Sequence, residues 1–192
     1  RPAIDFVVTG LGFGGAEREL VQLALRLSRR GWPVRVTSLL PAEGLADELR
    51  TGGILVRSLE MKRGRAAPTG FGRFLGLLEA EPPTIVHAFM VHANLLTRLA
   101  RLATPIPVLI STIQNSFEGS RARLWAYRCT EPLADWVTQV SRQGADAYAG
   151  AGWVRREHLA VITNSVDPER LAVPVGTREA VRRELGVAAD LP

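Results

Sequence analysis

Four glycines crowd the join between an apolar run and an amphipathic stretch near the start of the chain: Gly10, Gly12, Gly14 and Gly15. Before them, Ile4 to Thr9 is apolar apart from Asp5 and Thr9 and rich in β-branched residues, the pattern of a strand buried on both faces. After them, Ala16 to Arg30 reads as a helix. Leu20, Leu23, Ala24 and Leu27 share one face, Arg18, Gln22, Arg26 and Arg29 the other, and Gly31 ends it. A strand buried on both faces and followed by a helix belongs to a parallel sheet, because parallel neighbours need a crossover connection.

The alternation continues. Strands are expected at Val34 to Leu40, Ile54 to Leu59, Thr84 to Phe89, Pro107 to Ser111, Trp136 to Val140 and Leu159 to Thr163. Helices are expected at Ala42 to Arg50, Thr69 to Glu81, His92 to Ala103, Ser120 to about Leu133, and from about Gln143. In the helix after Phe89, Leu95, Leu96, Leu99 and Leu102 are expected to face inward. This predicts an α/β chain with a Rossmann-like, doubly wound parallel sheet. Residues 1–166 form that domain. Past Asp167 the pattern breaks: Pro168 and Pro174 punctuate an irregular stretch before a charged helix at Thr177 to Leu185. Residues 167–192 read as a linker.

Charge narrows the function. The net charge is +5 and the pI about 10.5, which raises nucleic-acid binding. Lys62 is the one lysine among 24 basic residues, and the arginines are scattered and interleaved with acids, as at Glu17, Arg18 and Glu19. No nucleic-acid partner is expected; a basic surface suits phosphorylated substrates or anionic lipid instead. Cys129 is alone, so no intrachain disulfide can form, which fits a reducing cytoplasm. His87 and His92 are five apart rather than four, and no metal site is expected.

A glycine turn at a helix N-terminus offers free backbone N–H groups and a favourable dipole to a phosphate. Gly12, Gly14, Gly15 and Ala16 are the candidate phosphate loop. Gly10, Gly12 and Gly15 also satisfy G-x-G-x-x-G, which admits an NAD(P)-dependent Rossmann oxidoreductase. Against that, the second strand ends Ser38-Leu39-Leu40 without the ribose-binding carboxylate, and Glu43 comes late. Glu19 stands where helix–sheet packing favours a small residue. A non-catalytic interaction domain is the third reading.

Four segments resemble glycosyltransferase family 4: Gly14-Gly15-Ala16-Glu17 with its helix and Arg29-Arg30-Gly31; Ile85 to Asn94 (IVHAFMVHAN); Val140-Ser141; and Val161 to Asp167 (VITNSVD). The resemblance covers about residues 4–190. It implies the N-terminal half of a GT-B architecture, with residues 167–192 leading toward an absent C-terminal donor-binding domain. The implied activity is retaining transfer of a sugar from a nucleotide-diphosphate donor to an acceptor hydroxyl. No cofactor or metal is implied, and the chain alone is expected to be inactive. The implied partners are a nucleotide sugar and a glycan or lipid-linked acceptor, in the bacterial cytoplasm with peripheral contact at the inner membrane face.

Site roles follow from the same resemblance. His87 and His92 are the catalytic candidates. Glu17, Asn94, Asn115 and Glu118 are candidates for acceptor binding, and Asn164 and Asp167 for the interdomain hinge. Ser165 replaces the usual glycine of the last segment, where a strained turn is expected.

Overall fold

The computed structural model describes residues 1–62, 68–115, 120–165 and 172–188. Seven parallel strands form one sheet: β1 (Ile4–Val8), β2 (Val34–Ser38), β3 (Leu55–Ser58), β4 (Ile85–Phe89), β5 (Val108–Ile113), β6 (Trp136–Gln139) and β7 (Leu159–Val161). Their order is β3-β2-β1-β4-β5-β6-β7. The chain winds outward from β1 in one direction, then from β4 in the other. This doubly wound sheet therefore has its topological switch point between β1 and β4, where such folds open a ligand crevice at the carboxyl ends of the strands.

Among the described residues the α-helices are α1 (Gly15–Arg29), α2 (Ala46–Thr51), α3 (Pro68–Ala80), α4 (Val91–Ala100), α5 (Arg121–Thr130), α6 (Arg142–Gly150) and α7 (Thr177–Glu184). Each expected element is present, with ends that shift by a few residues. The largest shift is at α2, expected from Ala42. Gly44 has φ +61°, and the Leu45 N–H donates to the Leu11 carbonyl at 2.8 Å, so the helix starts only at Ala46.

Apolar alternation along the strands divides the core. Phe6, Val8, Val36 and Phe89 pack under α1 and α2, with Leu20, Val21, Ala24 and Leu25 facing down from α1. Val7, Val86, Ala88 and Leu109 point the other way, against Phe74 and Leu78 of α3 and Ala93, Leu96 and Ala100 of α4. A third cluster joins Ile113 and Val137 to Tyr127 of α5 and Tyr148 of α6, whose rings meet edge-on at 6.4 Å.

α4 departs from the expected leucine face. Leu99 and Leu102 are 46% and 69% exposed, whereas Asn94, Thr97 and Arg98 are buried. Arg98 is tolerated because its neighbours take up most of its donors, although the buried Nη2 has no hydrogen-bond partner among the described residues. Its Nε donates to Ser111 Oγ at 3.1 Å, and Nη1 to the Tyr127 carbonyl and Thr130 Oγ1, both at 3.3 Å. The guanidinium also lies 4.8 Å from the centre of the Tyr127 ring. The expected strain at Ser165 is absent: among the described residues only Glu60 and Met90 combine a side chain with positive φ.

Candidate functional site

β1 ends at the switch point, and the glycine turn leads from it into α1. Gly14 is the N-cap, extended at φ −84° and ψ 166°, with Gly15 and Ala16 opening the helix. A methyl group built on Gly15 would meet nothing within 4 Å, so that face of the turn is open to a ligand. Glu17 lies in the first helical turn, and its carboxylate folds back over the loop. Its Oε2 would stand 2.3 Å from a Cβ at Gly14, and its Oε1 4.0 Å from one at Gly12. The helix dipole stabilises this carboxylate where it would equally stabilise a phosphate, so an incoming anion must displace it.

The two histidines sit in different surroundings. His87 belongs to β4 and lies between Phe6 and Phe89, at ring-centre distances of 5.4 and 4.6 Å. Its Nε2 is 2.7 Å from Thr112 Oγ1, which is 2.7 Å from Thr138 Oγ1, a polar chain across β4, β5 and β6. Burial pushes its pKa down to about 3, so the ring is neutral at physiological pH. His92 is exposed in the first turn of α4. Partial desolvation of the ring, then the Arg123 guanidinium, lowers its pKa.

Asn94 is fully buried, donating to the Thr112 carbonyl at 2.9 Å and to Tyr127 Oη at 2.7 Å. It ties α4 to β5 and α5. Asn115 is exposed beyond β5, its carbonyl accepting from Gln139 Nε2 at 3.0 Å. Asn164 donates to Gln114 Oε1 at 3.5 Å. Glu118 and Asp167 lie outside the described residues.

Two features were not expected. Glu19, already conspicuous for its size in α1, accepts from the Ser165 N–H at 3.0 Å and from its hydroxyl at 3.4 Å. With the Asn164–Gln114 bond, this pulls the chain leaving β7 back across the carboxyl ends of β6 and β5 toward α1. Met90 caps α4 at φ 74° and ψ 157°, a region that side chains avoid, directly beside the crevice. No sequence signal marks Met90. Among the described residues there is no group of three or more His, Cys, Asp or Glu able to hold a metal. None of their helices is long and apolar enough to cross a membrane.

An open cavity of about 440 Å³ adjoins the glycine turn on the β2–β3 side, away from the switch point.

Residues 13–170 match the family model described as Glycosyltransferase Family 4. The chain belongs to that family. No curated protein matches the sequence. Among solved structures, the family-4 chain is similar to Anabaena HepE in complex with UDP and glucose, at 19% identity and TM-score 0.80, covering 97% of this chain and 50% of that one. A glycosyltransferase from Rickettsia africae aligns at 16% identity and TM-score 0.76, covering 100% and 52%. Sucrose-phosphate synthase from Thermosynechococcus elongatus aligns at 17% identity and TM-score 0.75, covering 100% and 54%. At these identities the likenesses establish the fold, a Rossmann-like domain of GT-B type. The chain spans about half the length of the structures it matches. It is a glycosyltransferase-like N-terminal domain.

Proposed function

We propose that this chain is the acceptor-side domain of a retaining glycosyltransferase that moves a sugar from a nucleoside-diphosphate donor to an acceptor hydroxyl. The observation that carries the reading is the open glycine turn at the N-terminus of α1, at the switch point of a family-4 domain. HepE has been solved with UDP-glucose, which supports the same donor class here. Backbone N–H groups of Gly14 and Gly15 stabilise charge on the departing diphosphate, and a second domain supplies the cations and closes over the donor. Charge stabilisation of this kind needs neither metal nor cofactor.

His87 is neutral and sequestered by its ring neighbours and Thr112. It positions the floor of the crevice. His92, exposed at the start of α4, is the histidine able to reach an acceptor hydroxyl. The acceptor is a glycan or a lipid-linked group, met in the cytoplasm or at the inner face of the membrane, and Asn164 belongs to the hinge between the domains. The isolated chain binds donor weakly and does not turn over, because the second domain supplies the cations on the other side of the diphosphate.

The test is direct. The isolated chain is titrated with UDP-glucose and with NADH, and sugar transfer is assayed before and after fusion to a family-4 C-terminal domain. Weak UDP-glucose binding, no NADH binding and transfer only in the fusion support the proposal. NADH binding that protects the glycine turn would overturn it.

A further inference from the structure

The chain leaving β7 is pinned at three points on its way back across the sheet. The Ile162 N–H donates to the Gln139 carbonyl at the end of β6, at 2.9 Å. Asn164 Nδ2 donates to Gln114 Oε1, just beyond β5, at 3.5 Å. Ser165 then reaches Glu19 on α1. β4 lies between β5 and β1, and two strand spacings are about 10 Å. Residues 162–165 therefore form a strap over the switch-point crevice, held on both of its sides.

Glu19 is the anchor on the α1 side. It follows Gly15 by four residues, so the two share a helix face about 6 Å apart along the axis. Gly15 is the open residue of the phosphate turn. The Glu19 carboxylate takes both of its donors from one residue, the Ser165 N–H on Oε2 at 3.0 Å and the Ser165 hydroxyl on Oε1 at 3.4 Å. A charge-assisted bond to a backbone N–H fixes main chain, not only a rotamer.

The other side of the strap leaves a donor unspent. Asn164 grips the Gln114 amide by its oxygen. The amide nitrogen, Gln114 Nε2, is buried and has no hydrogen-bond partner among the described residues, and the same is true of Thr9 Oγ1, just beyond β1. Both lie at carboxyl ends of strands that flank the crevice. A buried donor without a partner is unfavourable, and an oxygen of a bound ligand would satisfy it.

We infer that Glu19 is a positioning residue for the donor. Its bonds to Ser165 hold the strap across the crevice. Through Asn164 the strap holds the Gln114 amide, with Nε2 presented to an oxygen of the nucleotide sugar. Glu19 itself touches no ligand. The inference rests on the transferase reading and adds the part that the chain beyond β7 plays in binding.

Charge alone predicts the opposite effect. A carboxylate so close to the phosphate turn lies within a Debye length of a bound diphosphate and repels it. If repulsion were its only influence, removing Glu19 would tighten donor binding. If it positions the strap, removing it weakens donor binding.

The experiment titrates the chain with UDP-glucose and follows backbone resonances together with the side-chain amide of Gln114. Glu19→Ala should weaken binding by about threefold to tenfold, as loss of one well-placed hydrogen bond does. Glu19→Gln keeps an oxygen for the Ser165 N–H and should retain most of the affinity. Ser165→Pro removes the N–H and the hydroxyl and should match Glu19→Ala. The double variant should be no weaker than either single one, because both remove the same contact. UDP-glucose should move the Gln114 side-chain resonance in wild type and in Glu19→Gln, and not in Glu19→Ala. Glu19 is half-buried and Ser165 exposed, and thermal melts check that each variant folds. Should the isolated chain bind too weakly to titrate, the same comparison is made on the fusion as KM for UDP-glucose.

Affinity in Glu19→Ala equal to or above wild type overturns the inference and leaves the transferase reading standing. So does additivity in the double variant, or a lowered melting temperature with affinity unchanged. No UDP-glucose binding by the wild-type chain, with no transfer by the fusion, sinks the transferase reading and the positioning role with it.

Discussion

Acidification from about pH 7.5 to pH 5 should cost the folded chain about 2 kcal/mol through His87 alone. In the fold, burial between Phe6 and Phe89 lowers the imidazole pKa from 6.5 to about 3. The unfolded chain therefore takes up a proton as the pH falls below 6.5, and the folded chain does not until about pH 3. Stability is fully present above the unfolded value and is lost progressively across that window. At pH 5 the unfolded imidazole lies about 1.5 pH units below its midpoint, each worth about 1.36 kcal/mol. The comparison protein is His87→Gln, which does not titrate and can still meet Thr112 Oγ1 with its amide. Urea unfolding of both proteins between pH 5 and pH 8 isolates His87, because every other titrating group is common to the pair. Wild type should lose about 2 kcal/mol relative to the variant on the acid side. Parallel pH profiles would show that His87 is solvated and free to charge, and the assignment of a neutral, positioning histidine would fail.

Met90→Gly should change stability by no more than about 1 kcal/mol in urea melts, because relief of the strain at φ 74° and ψ 157° offsets the loss of a side chain packed against the first core cluster, and a loss well beyond that would show that the backbone there is unstrained. If the strain serves the crevice, UDP-glucose binding should weaken at the same time. Arg98→Met should cost about 2–4 kcal/mol, since Ser111, the Tyr127 carbonyl and Thr130 lose their buried donor; a neutral result would show that methionine packing compensates. Glu17→Ala should tighten UDP-glucose binding by about threefold to tenfold, measured by calorimetry, because the carboxylate over Gly14 no longer competes with phosphate; weaker binding would mean that Glu17 contacts the ligand. Gly44→Ala should cost about 2 kcal/mol in thermal melts, from positive φ together with the clash on the Leu11 carbonyl.

The strands were readable because the sheet is buried on both faces. Runs such as Ile4 to Val8 and Ile85 to Phe89 carry one polar residue each, Asp5 and His87, too few to suggest a solvated face. Helix phase was less readable. In α4, period alone points Leu95, Leu96, Leu99 and Leu102 inward; Leu96 is buried and Leu95 partly so, but Leu99 and Leu102 are exposed and the buried face also carries Asn94, Thr97 and Arg98. What decides it is distant in sequence: Ser111 on β5 and Tyr127 and Thr130 on α5 supply the partners that make a buried guanidinium tolerable. The start of α2 was misplaced for a similar reason. The Leu45 N–H is captured by the Leu11 carbonyl, a contact that local propensity does not contain.

The same division runs through the candidate site. The glycine turn is a local device, legible because glycines between a buried strand and a helix have few other purposes. The Glu19–Ser165 contact joins residues 146 apart, and only Glu19's awkward size hinted at it. These two features explain each other physically. A phosphate at the α1 N-terminus needs the loop to hold still, yet a glycine loop is the softest part of the backbone. Its stiffness is supplied from both sides. The Leu45 N–H and Gly44 clamp Leu11 from the β2 loop, and Glu19 holds the chain leaving β7 against α1. The turn thus stands between the switch-point crevice and the cavity over β2 and β3. Any group that meets another across it must pass over Gly10 and Gly12, where no side chain stands in the way.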